Sequence, residues 1–420
     1  MTTLSARPYA AAPLVVRTVE IDDPGELLAL LPSSGGLAWV RHRDGFVGWG
    51  EAARFEASGP ERFAAADAWW SGLVERSVIR DDVGVQGSGA LAFGSFAFDD
   101  VGPSRSMLVV PEVVVGRRAG RCWVTTIAAE GGLPPAPVLP NRQPPAAPSE
   151  LAFADGALSG AEWELAIADA VRRIADGPLE KVVLARDLEV RTASDLDERW
   201  PLSRLAQRYS ACWTFAVDGL IGATPEMLVR LERGLVMSRV LAGTIRRTGD
   251  DAHDLALAAS LARSSKDLEE HEYAVRSVAE ALAPHCTSTN VPETPFVLHL
   301  PNVMHLATDV AGVVRDDASV LALVAALHPS AAVCGTPTDL ARLTIRELEQ
   351  MDRGRYAGPV GWIGANGDGE FAIALRCAQV LRERLRLYAG CGVVAGSDPE
   401  AELAEAQAKF VAMRDALASD

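Results

Sequence analysis

Gly358-Pro-Val-Gly-Trp-Ile-Gly-Ala-Asn-Gly-Asp-Gly-Glu-Phe-Ala-Ile-Ala-Leu-Arg376 reads as two apolar runs flanking a turn at 366–369. Alternating Asn, Asp and Gly accept the left-handed backbone that a tight connection needs, so the segment is a β-hairpin with antiparallel strands. Further strands are expected at Glu180-Lys-Val-Val-Leu-Ala-Arg186, 213–217, 227–231 and 236–240, and earlier within 36–49 and 89–98. Gly89 and Gly94 suggest bulges or a close approach of neighbouring backbone. Helices are expected over 160–174 and 266–283. A last one starts near Asp398-Pro399, where Pro suits a first turn and Ser397 with Glu400 has capping-box spacing. Strands and helices do not alternate strictly, and no internal repeat is present. The mix argues an α+β fold over a doubly wound sheet. A proline-rich connector over 133–148 separates a first half, 1–150, from a second, 151–420.

Composition narrows the function. Apolar residues make up 49% of the 420 positions and charged residues 23%, enough apolar surface for a sizeable core. The net charge of -16 and the absence of a basic stripe argue against a nucleic-acid partner. Cys122, Cys212, Cys286, Cys334, Cys377 and Cys391 are scattered among apolar neighbours without a C-x-x-C pair, as buried free thiols are. With no signal-like N-terminus and no apolar run of membrane length, a soluble cytoplasmic protein with no membrane partner is expected.

Two acidic stretches point to chemistry. Lys266-Asp-Leu-Glu-Glu-His-Glu272 and Gly396-Ser-Asp-Pro-Glu-Ala-Glu-Leu-Ala-Glu405 each place carboxylates at i and i+3 on one helix face: Asp267 with Glu270, and Glu402 with Glu405. Four acids on two facing helices repel one another unless a cation lies between them. Without a His or Cys cluster, the ion would be a hard, oxygen-loving one such as Mg²⁺. The plainer reading is a pair of solvated faces whose acids complement the helix dipoles.

Other residues add to the chemical case. Lys181 begins an apolar strand and shares a face with Val183 and Ala185; a lysine in an apolar cleft sheds its charge readily and serves as a base, although edge-strand lysines also deter aggregation. Glu226, just after the turn at Pro225, would stay protonated in a dry pocket, or simply cap a turn. Leu241-Ala-Gly-Thr-Ile-Arg-Arg247 offers backbone N–H groups at Gly243 and Thr244, and Arg376 a carboxylate-binding fork. His305 suits a core histidine at least as well as an acid-base group. Walker A, dinucleotide and serine-elbow motifs are absent. These residues describe an Mg²⁺ enzyme that acts on a small carboxylate through a lysine base and a glutamic acid.

In order along the chain, the same pieces resemble motifs of the chorismate-utilising enzymes, and most closely of the isochorismate synthases. They are Lys-Val-Val-Leu-Ala-Arg (181–186), Ala-Thr-Pro-Glu (223–226), Leu-Ala-Gly-Thr (241–244), Ser-Lys-Asp with Glu-His (265–271) and Met-His-Leu (304–306). Leu-His-Pro-Ser-Ala-Ala-Val-Cys-Gly-Thr-Pro (327–337), Asp-Arg-Gly-Arg-Tyr-Ala-Gly-Pro-Val-Gly-Trp (352–362) and Gly-Ser-Asp-Pro-Glu (396–400) complete the set. The likeness covers about 179–417; in the first 150 residues Phe93-Gly-Ser-Phe-Ala-Phe98 is the most recognisable piece.

The resemblance implies the chorismate-binding fold, with large antiparallel sheets and outer helices around a central cleft. It also implies roles. Lys181 would activate water for attack at C2 of chorismate, and Glu226 would protonate the departing C4 hydroxyl. Glu270 and Glu405 would hold Mg²⁺, with Asp267 and Glu402 supporting through water. Gly243, Thr244, His305, Ala332, Tyr356, Arg376, Gly390 and Lys409 match positions that line the substrate. Three positions separate branches of the family. Anthranilate synthases carry Gln where Lys181 stands, some aminodeoxychorismate synthases carry a lysine nucleophile where Ala242 stands, and anthranilate and salicylate synthases usually carry Thr where Ala332 stands. All three favour the isomerase over salicylate synthase, which goes on to eliminate pyruvate. A non-catalytic binder would be expected to lack Lys181 or Glu226. Water as nucleophile implies no glutaminase subunit, and a monomer is the default. The product would feed menaquinone, catechol siderophore or salicylate synthesis.

Overall fold

A computed structural model describes residues 12–129, 132, 139–140, 143–299, 303–315 and 318–418, apart from the side chains of Thr244, Lys266, Asp267 and Glu270. Part of the proline-rich connector therefore lies outside the described residues. Within them the chain forms two large sheets, one of thirteen strands and one of ten. Neighbouring strands are antiparallel throughout, except that Val15–Ile21 runs parallel to Val78–Asp81. This is the α+β architecture that the mix of strands and helices implied, and the hairpin at 358–376 is present in it. Its strands, Pro359–Gly364 and Gly369–Ile373, turn between 364 and 369 with Gly367 at φ 81°.

The connector divides the sequence but not the sheets. Leu37–Arg41 pairs with Trp213–Val217 in the larger sheet, and Leu91–Ser95 pairs with Pro359–Gly364 in the smaller. The sheets face each other across an aromatic core. Phe46 of the larger sheet meets Trp362 of the smaller edge-on at 5.0 Å between ring centroids, and Phe93 at 5.7 Å. Such pairs add to the large apolar area these rings bury. A second apolar layer covers the outer face of the larger sheet. There Ala38, Val40 and Val47 pack with Leu202 and Leu205 of the helix Arg199–Arg208 and with Phe410 and Met413 of the helix Pro399–Leu417.

Several local expectations are sharpened. Gly94 accommodates close packing and not a bulge: a Cβ there would lie 2.9 Å from the Phe371 ring and from Leu108. The helix Gly160–Asp176 starts with a true capping box, Ser159 with Glu162. The last helix does not use Ser397 that way; Asp398 is its N-cap, its carboxylate accepting from the Ala401 N–H at 2.9 Å. Asp is as good a cap as Ser, and Pro399 then falls at the first helical position. All six cysteines are buried and free. Among the described residues no helix is long and apolar enough to cross a membrane.

Candidate active site

Two crossings of the chain from sheet to sheet lie side by side and line a deep cavity. Leu220–Thr224 belongs to the larger sheet and Met227–Glu232 to the smaller, so Pro225 and Glu226 form the step between them. Gly369–Ile373 and Cys377–Leu381 make the reverse step through Leu375 and Arg376. The steps are laced together: Ile373 N–H donates to Glu226 O at 3.0 Å, and Ala223 N–H to Arg376 O at 3.3 Å. Arg376 has φ 47°, a conformation uncommon outside glycine and found often at functional sites.

The cavity has a volume of about 500 Å³, and Lys181, Glu226, Arg376, Lys409 and Glu405 all border it. So do Gly243, His305, Ala332, Tyr356 and Gly390. Pairing explains the convergence. Lys181–Arg191 runs antiparallel to Arg384–Val393, placing Ala185 opposite Gly390 and Leu184 opposite Cys391. Gly390 must be small, since a Cβ there would sit 2.7 Å from Leu184 O. The helix Pro399–Leu417 then packs back on this pair, and Lys409 Nζ donates to Gly390 O at 2.7 Å and to Glu405 Oε1 at 2.6 Å. Leu235–Arg246 is bulged between Ala242 and Thr244, with Gly243 at φ 71°, and His305 lies opposite Thr244.

Electrostatics divide these groups sharply. Burial pushes the Glu226 carboxyl up to about 7, against the opposing pull of Arg376, Lys181 and Lys409. Burial and the nearby cations Arg376 and Lys409 hold His305 down to about 4, so it is neutral at pH 7 and contributes a polar ring, not a charge. Burial pushes the Tyr356 phenol up, and its ring stacks on Tyr388 at 5.0 Å and 8°. The cavity thus pairs an amine with a carboxyl that titrates near neutrality, and adds cations that suit an anionic ligand.

Ala242 joins Lys181 and Ala332 on the wall, so all three branch-deciding positions border the same space. Glu180, Glu269, Tyr273, Ala331, Arg353 and Cys391 also line it and were not singled out from sequence. Arg353 lies inside the motif at 352–362, but besides the nearby Glu349 its partners are carbonyls of segments remote in sequence, Val183 and Val333.

The metal-ligand candidates fall into two groups. The side chains of Asp267 and Glu270, like that of Thr244, lie outside the described residues, although Ser265–Leu282 is a helix as expected and sends Glu269 and Tyr273 to the cavity. Glu405 borders the cavity, whereas Glu402 does not and lies by the Cys391 thiol, which burial first and then the Glu402 charge push up. Among the described residues no three His, Cys, Asp or Glu side chains gather as a metal cluster. Acids nonetheless line the cavity from two helices, Glu269 from one and Glu405 from the other, and the Glu405 side chain is 49% exposed. This all-oxygen donor chemistry fits a hard divalent cation.

The chain is similar to several known proteins. It is 42% identical over 271 residues to isochorismate synthase DhbC of Bacillus subtilis, covering 62% of this chain and 68% of that one. It is 33% identical over 409 residues to the salicylate biosynthesis isochorismate synthase of Pseudomonas aeruginosa, covering 91% and 85%. The solved structure of MenF, the menaquinone-specific isochorismate synthase from Escherichia coli, superposes with a TM-score of 0.79 at 26% identity, over 97% of this chain and 96% of that one. With a family match running from residue 37 to residue 418, the chain belongs to the chorismate binding enzymes.

Proposed function

We propose that this protein is an isochorismate synthase, interconverting chorismate and isochorismate. The observation that carries the reading is one cavity with Lys181 and a near-neutral Glu226 on its wall and small alanines at 242 and 332. Lys181 takes a proton from water as its oxygen bonds to C2 of the ring. The ring double bonds shift, and Glu226 donates its proton as the C4–O bond breaks, so that one water enters and one leaves. The protonated lysine then gives its proton to solvent and the ionised glutamate takes one from it, which returns both groups to their starting states. Arg376 and Lys409 supply positive charge to the substrate carboxylates, and the bulged backbone at Gly243 borders the same space. A carboxyl near 7 is matched to this work at physiological pH.

Glu405 and Glu270 would hold Mg²⁺, with Asp267 and Glu402 in outer support. When bound, the ion neutralises a substrate carboxylate and so favours charge developing in the ring. Glu405→Ala is expected to raise the Mg²⁺ concentration for half-maximal activity by about tenfold or more. Titration of activity with Mg²⁺ checks this, and an unchanged requirement counts against Glu405 as a ligand.

The reading itself is tested by incubating purified protein with chorismate and Mg²⁺, resolving products chromatographically and following pyruvate. Isochorismate approaching an equilibrium mixture without pyruvate is the expected result. Salicylate with equal pyruvate would mean that the small wall at Ala332 does not prevent elimination and that the protein is a synthase-lyase.

A further inference from the structure

The lysine strand is complete on one edge and interrupted on the other. Arg384–Val393 pairs with residues 182–191 without a break. Opposite, Gly335–Thr336 pairs only with Lys181 and Val182, and Ala152–Asp155 only with Leu188–Arg191. Residues 183–187 lie between these short partners. A buried strand cannot leave its N–H and C=O groups unmet without losing stability.

Side chains meet three of the backbone groups in this stretch. Ala185 N–H donates to Glu349 Oε1 at 2.7 Å, and Ala185 O accepts from Trp163 Nε1 at 3.2 Å. Val183 O accepts from Arg353 Nη2 at 2.6 Å, while Val183 N–H donates to Cys334 O at 2.8 Å. The same guanidinium donates from Nη1 to Val333 O at 2.8 Å and from Nε to Glu349 Oε2 at 2.9 Å. Phe98 lies under it, 4.3 Å from its ring centroid. Arg353 and Glu349 side chains are 3% and 0% exposed.

Arg353 therefore ties two walls of the cavity together. Val183 belongs to the strand that presents Lys181, and Val333 follows Ala332 in the adjoining loop, whose Cys334 and Thr336 also bond the strand through their backbone. We propose that the Glu349–Arg353 pair is a positioning element of the reaction, fixing the Lys181 strand against the Ala331–Val333 wall. Its bearing on catalysis rests on the role proposed for Lys181. A buried ion pair is not needed for stability alone, since apolar replacements commonly serve as well. What an apolar residue cannot do is meet the carbonyls of two separate segments with one rigid fork.

Arg353→Lys keeps the charge and loses the fork; Glu349→Gln keeps an acceptor for Ala185 N–H and loses the ion pair. Arg117→Lys serves as the comparison. That buried guanidinium also bonds backbone, donating to Arg43 O at 2.6 and 3.0 Å, but borders no part of this cavity. For Arg353→Lys, kcat is expected to fall about a hundredfold with KM little changed. The pH profile of Lys181 acylation by an amine-reactive reagent, read by mass spectrometry, is expected to shift while that of Lys409 does not. Arg117→Lys is expected to lose melting temperature and keep kcat. Unchanged kcat and unchanged Lys181 reactivity in Arg353→Lys, with a melting temperature lowered as in Arg117→Lys, would overturn the proposal. If Arg353→Lys does not fold, Glu349→Gln decides by the same measurements. Should the wild type not turn over chorismate, the functional reading falls, and the Lys181 labelling profile still decides the positioning role.

Discussion

Lys181→Ala is expected to lower kcat by about 10²–10⁴-fold, the range that general-base catalysis supplies, while the protein still folds. The strand it begins is held by backbone pairing of Lys181 to Thr336 and of Val182 to Val393, and alanine keeps both. Its side chain borders the cavity and crosses close above Gly392, where a Cβ would come 3.1 Å from the lysine Cε. Truncation therefore widens the cavity and does not disturb the core. Steady-state rates, chorismate binding by calorimetry and the melting temperature separate the two effects. Activity within tenfold of wild type, with binding intact, would remove Lys181 as the base.

Glu226→Gln is expected to cost about 10²–10⁴-fold in kcat and to make the protein more stable at alkaline pH. The carboxyl is raised from 4.5 to about 7, chiefly by burial. A raised carboxyl contributes stability that is fully present below pH 4.5 and is lost as pH rises through about 7. The interval corresponds to about 3 kcal/mol once Glu226 is ionised. Glutamine is neutral and nearly the same shape, so the variant escapes that penalty. Its melting temperature is expected above wild type at pH 8 and level with it near pH 4. With Glu226 as the proposed proton donor, wild-type turnover of chorismate is expected to decline as pH rises through about 7. Equal melting temperatures at pH 8 would show that Glu226 ionises freely in the cavity.

Much of this was legible in the sequence, for reasons that can be named. The hairpin at 358–376 announced itself because turn residues break two apolar runs, and Trp213–Val217 because every residue is buried. Leu235–Arg246 was read only over 236–240. Arg239, Gly243 and Arg246 interrupt its apolar pattern, yet Arg239 is met across the sheet by Asp309 at 2.7 Å and Gly243 makes the bulge. Charge inside a strand is tolerated where the neighbouring strand answers it, and that neighbour is far away in sequence. The same holds for Asp187 and Arg386 on the lysine strand and its partner, 2.5 Å apart.

The site divides along similar lines. Lys181, Glu226 and Arg376 could be picked out because each is a polar residue at the edge of an apolar run. Arg353, Glu269 and Tyr273 could not: the first speaks to carbonyls of remote segments, and the others lie on an ordinary-looking amphipathic helix. Small residues were the least visible. Gly390 and Ala332 both border the cavity, and that Gly390 must be small is defined only by its packed neighbour Leu184.

Because strands from both sides of the connector share each sheet, a ribosome cannot finish this protein in instalments. Leu91–Ser95 waits for Pro359–Gly364, and Leu37–Arg41 for Trp213–Val217, so early strands are made long before their partners exist. Such non-local pairing slows folding and leaves open strand edges in the interval. A fragment ending at the connector would carry those edges permanently, and aggregation, not an independent half-enzyme, is what expressing it should yield.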